Sequence, residues 1–200
     1  MAATASGPLA SCHRRLPPAA IIGGRRTAVG DILADPERFQ SAYFMVKPRT
    51  ATLDDVPLLV EMMQEFYAEA SYPLDRQWAT DAFSTLLRDD ARGAVWIVFD
   101  GAEAAGYVVL TVRFSMEYGG LDAFVDDLFI RPRHRRKGLG RAALRALFEE
   151  CDRRNVLAVH VEVGRGNAAA NALYEAFGLG LRDDDRQVLT VRLRKARHDA

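Results

Sequence analysis

Cysteine is nearly missing from this 200-residue chain: only Cys12 and Cys151 occur. Cys151 falls on the apolar side of a predicted helix and Cys12 in a stretch with little structural signal. No disulfide is therefore expected, which suits a reducing compartment such as the cytoplasm. No uninterrupted apolar run reaches about 18 residues, so no segment is expected to span a membrane. An excess of either charge is also missing, with 27 Lys and Arg against 27 Asp and Glu. That balance argues against a nucleic-acid partner and against an acidic disordered chain. The phosphate loop G-x-x-x-x-G-K-[ST] is absent, as are internal repeats and low-complexity tracts after residue 45. What is present is an apolar fraction of 49%, enough for one domain with room for a real core.

Acidic residues are absent before Asp31, and residues 1–44 are rich in Ala, Pro, Gly, Ser and paired arginines. An acid-poor, Arg-containing leader of this kind fits a transit peptide. Pro17, Pro18, Gly23 and Gly24 would break an amphipathic targeting helix, so the reading favoured is a disordered leader or an extension from a start codon placed too far upstream. The domain is expected to begin at Met45 and to run to about residue 195.

From there the pattern is regular. Val46 to Ala51 reads as a short strand, and Thr52 with Asp55 as an N-terminal capping signal. Val56, Leu59, Val60, Met63, Phe66 and Tyr67 recur at helical spacing. A second helix is expected over Asp75 to Arg88. Ala94 to Phe99, the Asp100-Gly101 turn and Ala104 to Phe114 form a hairpin, and Leu121 to Ile130 a further strand. Gly138 to Asn155 reads as a helix with Ala143, Leu147, Phe148 and Cys151 on its inner face. Leu157 to Val163 alternates as a strand, Asn167 to Phe177 is a helix stopped by Gly178, and Gln187 to Leu193 is a closing strand. The order β-α-α-β-β-β-α-β-α-β makes a mixed α/β sheet.

The most informative stretch is Leu128 to Ala143, LFIRPRHRRKGLGRAA. A strand runs into a proline, a cationic run, two glycines and a helix, so free backbone N–H groups and positive charge meet at a helix start. That arrangement suits a pyrophosphate. Gly138 to Ala143 also fits G-x-G-x-x-A, with Glu162 about 20 residues on, as in dinucleotide-binding folds. There, however, the first glycine follows the strand directly, whereas seven residues intervene here. The cationic run could instead contact RNA, but no aromatic residues interleave it.

The pattern Arg135-x-x-Gly138-x-Gly140, preceded by Ile130-x-Pro132, resembles the acyl-CoA signature of the GNAT superfamily of N-acetyltransferases. Asn167, Ala170, Leu173, Tyr174 and Gly178 resemble that family's downstream N-x-x-A-x-x-L-Y-x-x-x-G segment, and the likeness spans about Met45 to Leu193. The Asp126 to Gly140 and Asn167 to Tyr174 segments look most like polyamine-type members. Gly178-Leu179 departs conservatively from the commoner Gly-Phe. The resemblance implies an acyl-CoA N-acyltransferase fold, a centrally splayed mixed sheet of six to seven strands with flanking helices.

It also implies a cytoplasmic enzyme passing an acetyl group from acetyl-CoA directly to a small-molecule primary amine. A protein N-terminus or lysine is the alternative acceptor, and a non-catalytic acyl-CoA-binding module the alternative class. No metal is expected, and a homodimer is suggested only by analogy. Backbone N–H groups from Arg136 through Lys137, Gly138, Leu139 and Gly140 to Arg141 would wrap the pyrophosphate, with Arg135 adding charge. Leu128, Phe129 and Ile130 would splay away from Val161 and pair with the pantetheine arm like an added strand, a backbone N–H there polarising the thioester carbonyl. Tyr174 would protonate the leaving thiolate, since a phenol is a donor at neutral pH. Asn167 would cap its helix and lie near the cofactor.

An amine nucleophile must lose a proton, so a base is expected. Adjacent strand residues point to opposite faces, so only one of Asp126 and Asp127 should face the acceptor, and the resemblance puts Asp126 there, with Leu128 and Ile130. Glu117 and Asp122 are candidates to hold a cationic acceptor, with an ordinary loop role as their alternative. His160 is expected to be structural, the segments around Trp78 and Tyr118 to shape the acceptor pocket, and the triplet from Asp183 to Asp185 to be a solvated turn.

Overall fold

The computed structural model describes residues 47–181 and 188–191. Segment 1–44, the expected domain start at Met45 and the triplet Asp183 to Asp185 lie outside the described residues. Strand β1 is Arg49–Thr50, shorter than its apolar pattern suggested, and Val46 lies outside the description. Helix α1, Val56–Glu69, follows one 3-10 turn in which the Thr52 amide donates to Asp55 Oδ2 at 2.8 Å. Helix α2, Arg76–Leu87, starts at Asp75, whose carboxylate accepts from the amides of Gln77 and Trp78. These are the side-chain acceptors that orphan N–H groups of a first turn require.

Strands β2 (Gly93–Asp100), β3 (Glu103–Ser115) and β4 (Gly120–Ile130) form an antiparallel meander, the first turn carried by Gly101 at φ 65°. Helix α3, Leu139–Arg153, returns the chain so that β5, Ala158–Val161, lies parallel to β4, and α4 covers Ala168–Glu175. A crossover helix is what a parallel neighbour demands. The five strands lie in the order of the sequence. This is the acyl-CoA N-acyltransferase fold, with five strands among the described residues. Of the closing strand expected over 187–193, residues 188–191 are described and belong to no strand, and the rest lies outside.

Two cores sandwich the sheet. On one face α1 and α2 pack Leu59, Met62 and Phe83 against Val95, Ile97, Tyr107 and Phe129. On the other, Leu144, Leu147 and Phe148 of α3, Tyr174 of α4 and Phe177 just past it pack against Val98, Val108, Leu110 and Val125. Among the described residues no helix is long and apolar enough to cross a membrane.

Candidate active site

The sheet opens between β4 and β5. Their pairing runs from Asp122 opposite Ala158 to Val125 opposite Val161 and then stops, while β4 continues for five residues to Ile130 on its β3 side alone. Among the described residues the backbone edge of β4 beyond Val125 is therefore unpaired, a ready template for an extended ligand.

Ligation of the loop after β4 is worked out by charge. Arg131, only 8% exposed, donates to Glu61 Oε1 at 2.6 Å, to Glu65 Oε1 and Oε2 at 2.6 and 2.9 Å, and to the Ala104 carbonyl at 2.8 Å. Arg135 Nη2 meets both oxygens of Glu69, and its Nε donates to the Ile130 carbonyl at 2.7 Å. Buried His134 accepts from Arg133 at Nε2, 3.1 Å, which leaves Nδ1 to donate to Asp100 at 2.8 Å. Arg133 pairs with Glu103 and Lys137 with Asp100. Four of the five Arg and Lys side chains between 131 and 137 are thus neutralised internally. Arg136 and, one turn on, Arg141 have no protein partner among the described residues.

Gly138, at φ 76°, is the left-handed residue from which α3 starts, a conformation that a Cβ strains. Gly140 lies where α3 meets α4: a Cβ there would come within 3.1 Å of Leu173 Cδ2. None of the amides from Arg136 to Arg141 has a backbone acceptor among the described residues, so the helix start presents them outward.

A cleft of about 570 Å³ runs from this helix start to the unpaired end of β4. It is lined by Leu128, Phe129 and Ile130 from the strand, by Arg135, Arg136, Gly138, Leu139, Gly140 and Arg141 from the loop and α3, and by Asn167 and Tyr174 from α4. These are eleven of the twelve residues expected to hold a cofactor. The exception is Lys137, whose ammonium is 2.7 Å from Asp100 and does not line the cleft. Glu69, Phe66, His134 and Leu173 complete the wall. The sequence offered one signal for Glu69: with Glu61 and Glu65 it forms an i, i+4, i+8 acidic stripe on α1 that calls for a cationic partner.

Tyr174 closes the inner end of the cleft from the last turn of α4. Asn167 caps that helix by accepting from the Ala170 amide at 3.1 Å, and Leu179 N donates to Tyr174 O at 3.1 Å past Gly178, whose φ is 80°. Burial, and secondly the Asp127 carboxylate, push the Tyr174 hydroxyl up to about 12.

Asp126 and Asp127 depart from the expected alternation. The β3–β4 register shifts so that Val109 opposes Asp127 while Leu110 opposes Val125, leaving Asp126 as the extra residue of a bulge. A bulge removes strict two-residue alternation, and both carboxylates raise the Tyr67 hydroxyl, which burial first and then Asp127 and Asp126 push up to about 12. The strict alternation on which the expectation of a single carboxylate toward the acceptor rested is therefore not met at this point of β4. Asp126 is exposed and raised by desolvation and by Glu162. Asp127 is half-buried and accepts from the Tyr107 hydroxyl at 3.0 Å. Burial lifts it to about 6, the Tyr107 hydrogen bond pulling it down and Asp126 pushing it up.

Asp122, a candidate acceptor contact with an ordinary loop role as its alternative, is fully buried and takes both arms of Arg113 at 2.8 and 2.9 Å, with His160 Nε2 3.3 Å away. His160 also lies over Phe124, ring centroids 5.0 Å apart. This group ties β3, β4 and β5 together where the sheet is closed.

A splayed sheet, a strand edge left open among the described residues and a glycine-started helix at the mouth define an acyltransferase type of cleft. The chain belongs to the acetyltransferase (GNAT) family, whose model matches residues 57–179. An integron cassette protein from the mobile metagenome of Cole Harbour Salt Marsh is 41% identical, with TM-score 0.69 over 76% of this chain and 93% of that one. A ribosomal-protein-alanine N-acetyltransferase from Brucella melitensis shares the fold at 20% identity, TM-score 0.60, over 74% of this chain and 98% of that one. The [ribosomal protein bS18]-alanine N-acetyltransferase of Escherichia coli K12 is 42% identical over 57 residues, 28% of this chain and 38% of the relative's length.

Proposed function

We propose that this protein is an acetyl-CoA-dependent N-acetyltransferase whose acceptor is a small-molecule primary amine. The observation that carries the reading is the meeting, in one cleft, of the unpaired β4 edge, the unpaired amides at the start of α3 and the Tyr174 hydroxyl. The pyrophosphate of acetyl-CoA lies against the amides from Arg136 to Arg141, with Arg136 and Arg141 as free cations. The pantetheine arm runs along Leu128 to Ile130, and a backbone N–H of that segment polarises the thioester carbonyl.

The amine arrives from the opposite face of the sheet, where exposed Asp126 and Glu162 favour its protonated form. Asp127 takes the proton; its environment keeps it ionised at neutral pH yet close enough to neutrality to work as a base. The amine nitrogen then attacks the carbonyl carbon, the carbon–sulfur bond breaks and the thiolate takes the hydroxyl proton of Tyr174; the second proton lost from nitrogen returns through solvent to the Tyr174 oxygen, and Asp127 releases its own to solvent. Asp127 is preferred to Asp126 as the base because it is the carboxylate that acts on Tyr174 as well as on Tyr67 and Tyr107.

A second reading, a protein N-terminus as acceptor, draws on the E. coli relative, an alanine N-acetyltransferase of ribosomal protein bS18. The test is thermal unfolding with acetyl-CoA and with NADH, followed by thiol release from acetyl-CoA in the presence of small primary amines or of a peptide beginning with alanine. The proposal expects stabilisation by acetyl-CoA alone and release with small amines. Release with the peptide only would move the acceptor to the second reading. Stabilisation without release in either arm would leave an acyl-CoA-binding module, and stabilisation by NADH would overturn the cofactor.

A further inference from the structure

We propose that Tyr107 is a positioning residue for this reaction: from inside the core on the α1 side, its hydroxyl holds Asp127 by Oδ2 and leaves Oδ1 to meet the acceptor amine. The inference rests on Asp127 being the base, and it assigns a task to a side chain that no sequence motif marks.

The backbone makes the pair neighbours. Tyr107 opposes Phe129 and Val109 opposes Asp127 across β3 and β4, so Tyr107 and Asp127 are diagonal partners on one sheet face. The ring of Tyr107 cannot swing away. It has no exposed surface, Phe83 meets it edge-on with centroids 5.9 Å apart, and Phe129 lies 6.2 Å away at 53°. Phenylalanine would fill the same space. The hydroxyl is the part that packing does not need, and a buried hydroxyl requires an acceptor. Asp127 Oδ2, at 3.0 Å, supplies it. No donor among the described residues pairs with Oδ1.

The groups around Asp127 make that bond decisive. Tyr107 donates to it from β3 and Asp126 acts on it from its own strand; the charge of Asp127 in turn raises Tyr67 on α1 and Tyr174 on α4, and Glu162 raises Asp126. Burial and Asp126 both favour the protonated carboxyl, and the Tyr107 hydrogen bond opposes them. Without it the carboxylate both gains a rotational freedom and holds its proton at higher pH.

The test compares pH profiles of kcat/KM for the wild type, Y107F and D127N, with binding of acetyl-CoA measured separately. In Y107F the acid limb moves up by about one pH unit, giving roughly a fivefold loss near pH 6 and a much smaller one near pH 9, with acetyl-CoA affinity unchanged. A loss of packing alone lowers the melting temperature and leaves the limb in place. A folded Y107F whose limb has not moved overturns the inference and leaves Asp127 as the base. A D127N enzyme that keeps the wild-type limb overturns the base assignment itself. If Y107F does not fold, ¹³Cζ-tyrosine NMR of the wild-type chain decides, the resonance being assigned through Phe variants of the other tyrosines. The Tyr107 signal then follows the midpoint of the acid limb, and a signal that stays still across it overturns the inference.

Discussion

Glu69 and Arg135, 66 positions apart, meet end to end at the mouth of the cleft, with Nη2 of the arginine 2.8 and 2.6 Å from the two carboxylate oxygens. The pair joins the last residue of α1 to the loop that leads into α3, and Arg135 is also within cation–π reach of the Phe129 ring, 6.0 Å from its centroid. The arginine that opens the glycine signature is thus a brace for the loop, and a carboxylate stands on the wall of a cleft suited to an anion. Glu69→Gln is expected to bind acetyl-CoA at least as tightly as the wild type, with a steeper dependence on salt, because it removes that negative charge. Both side chains are partly exposed, so the stability lost should be no more than about 1 kcal/mol. Isothermal titration at two salt concentrations and a melting curve check both halves.

Arg136 and Arg141 carry the charge that remains free for phosphate. Arg136→Ala and Arg141→Ala should each weaken acetyl-CoA binding by about three- to tenfold and flatten its salt dependence, as loss of a phosphate contact does. Lys137→Ala should leave affinity near the wild-type value, since its ammonium is held by Asp100 away from the cleft. Equal losses at all three positions would mean that the general field of the loop, not two particular side chains, holds the ligand.

These positions also show what the sequence could reveal. The glycine loop and the N-x-x-A-x-x-L-Y segment were legible because their chemistry is local: a left-handed glycine, a helix start and an asparagine cap are written in adjacent residues. The helices and the first five strands followed from periodicity for the same reason, with boundaries moved by a residue or a few, whereas residues 188–191 of the expected closing strand form none. The division of labour within RPRHRRK was not legible, because Glu61, Glu65, Glu69, Asp100 and Glu103, which neutralise it, come from distant elements. The Asp126 bulge was hidden too, since a bulge belongs to a pair of strands. For Asp122 the sequence left an acceptor contact and an ordinary loop role open, because its partners Arg113 and His160 lie on two other strands.

Tyr174→Phe should lower kcat about a hundredfold or more with little change in the KM for acetyl-CoA, the size typical of losing a proton donor in the rate-limiting step. A hydroxyl at about 12 stays protonated throughout the assay range. The wild-type profile should therefore show an acid limb near pH 6 and no basic limb from this residue below about pH 10. A basic limb near pH 8 that vanishes in Tyr174→Phe would contradict that protonation state.

Asp127→Asn should be more stable than the wild type while losing activity. The carboxyl of Asp127 sits at about 6 in the folded chain, above its ordinary unfolded value near 3.9. The folded state therefore binds the proton more tightly, and stability falls as pH rises between those two values. Above pH 6 the full cost of holding the charged form is present, at most about 3 kcal/mol for a two-unit shift. Asparagine carries no charge and its carbonyl can still accept from Tyr107, so the cost disappears. Melting curves should show the variant ahead by several degrees at pH 8, with the gap narrowing as pH drops through 6 toward 4. A gap that stays constant with pH would mean the gain comes from packing. A variant that melts below the wild type at pH 8 would mean that the negative charge is needed to hold Tyr107 and the strands around it, and that the site stores no electrostatic strain at this position.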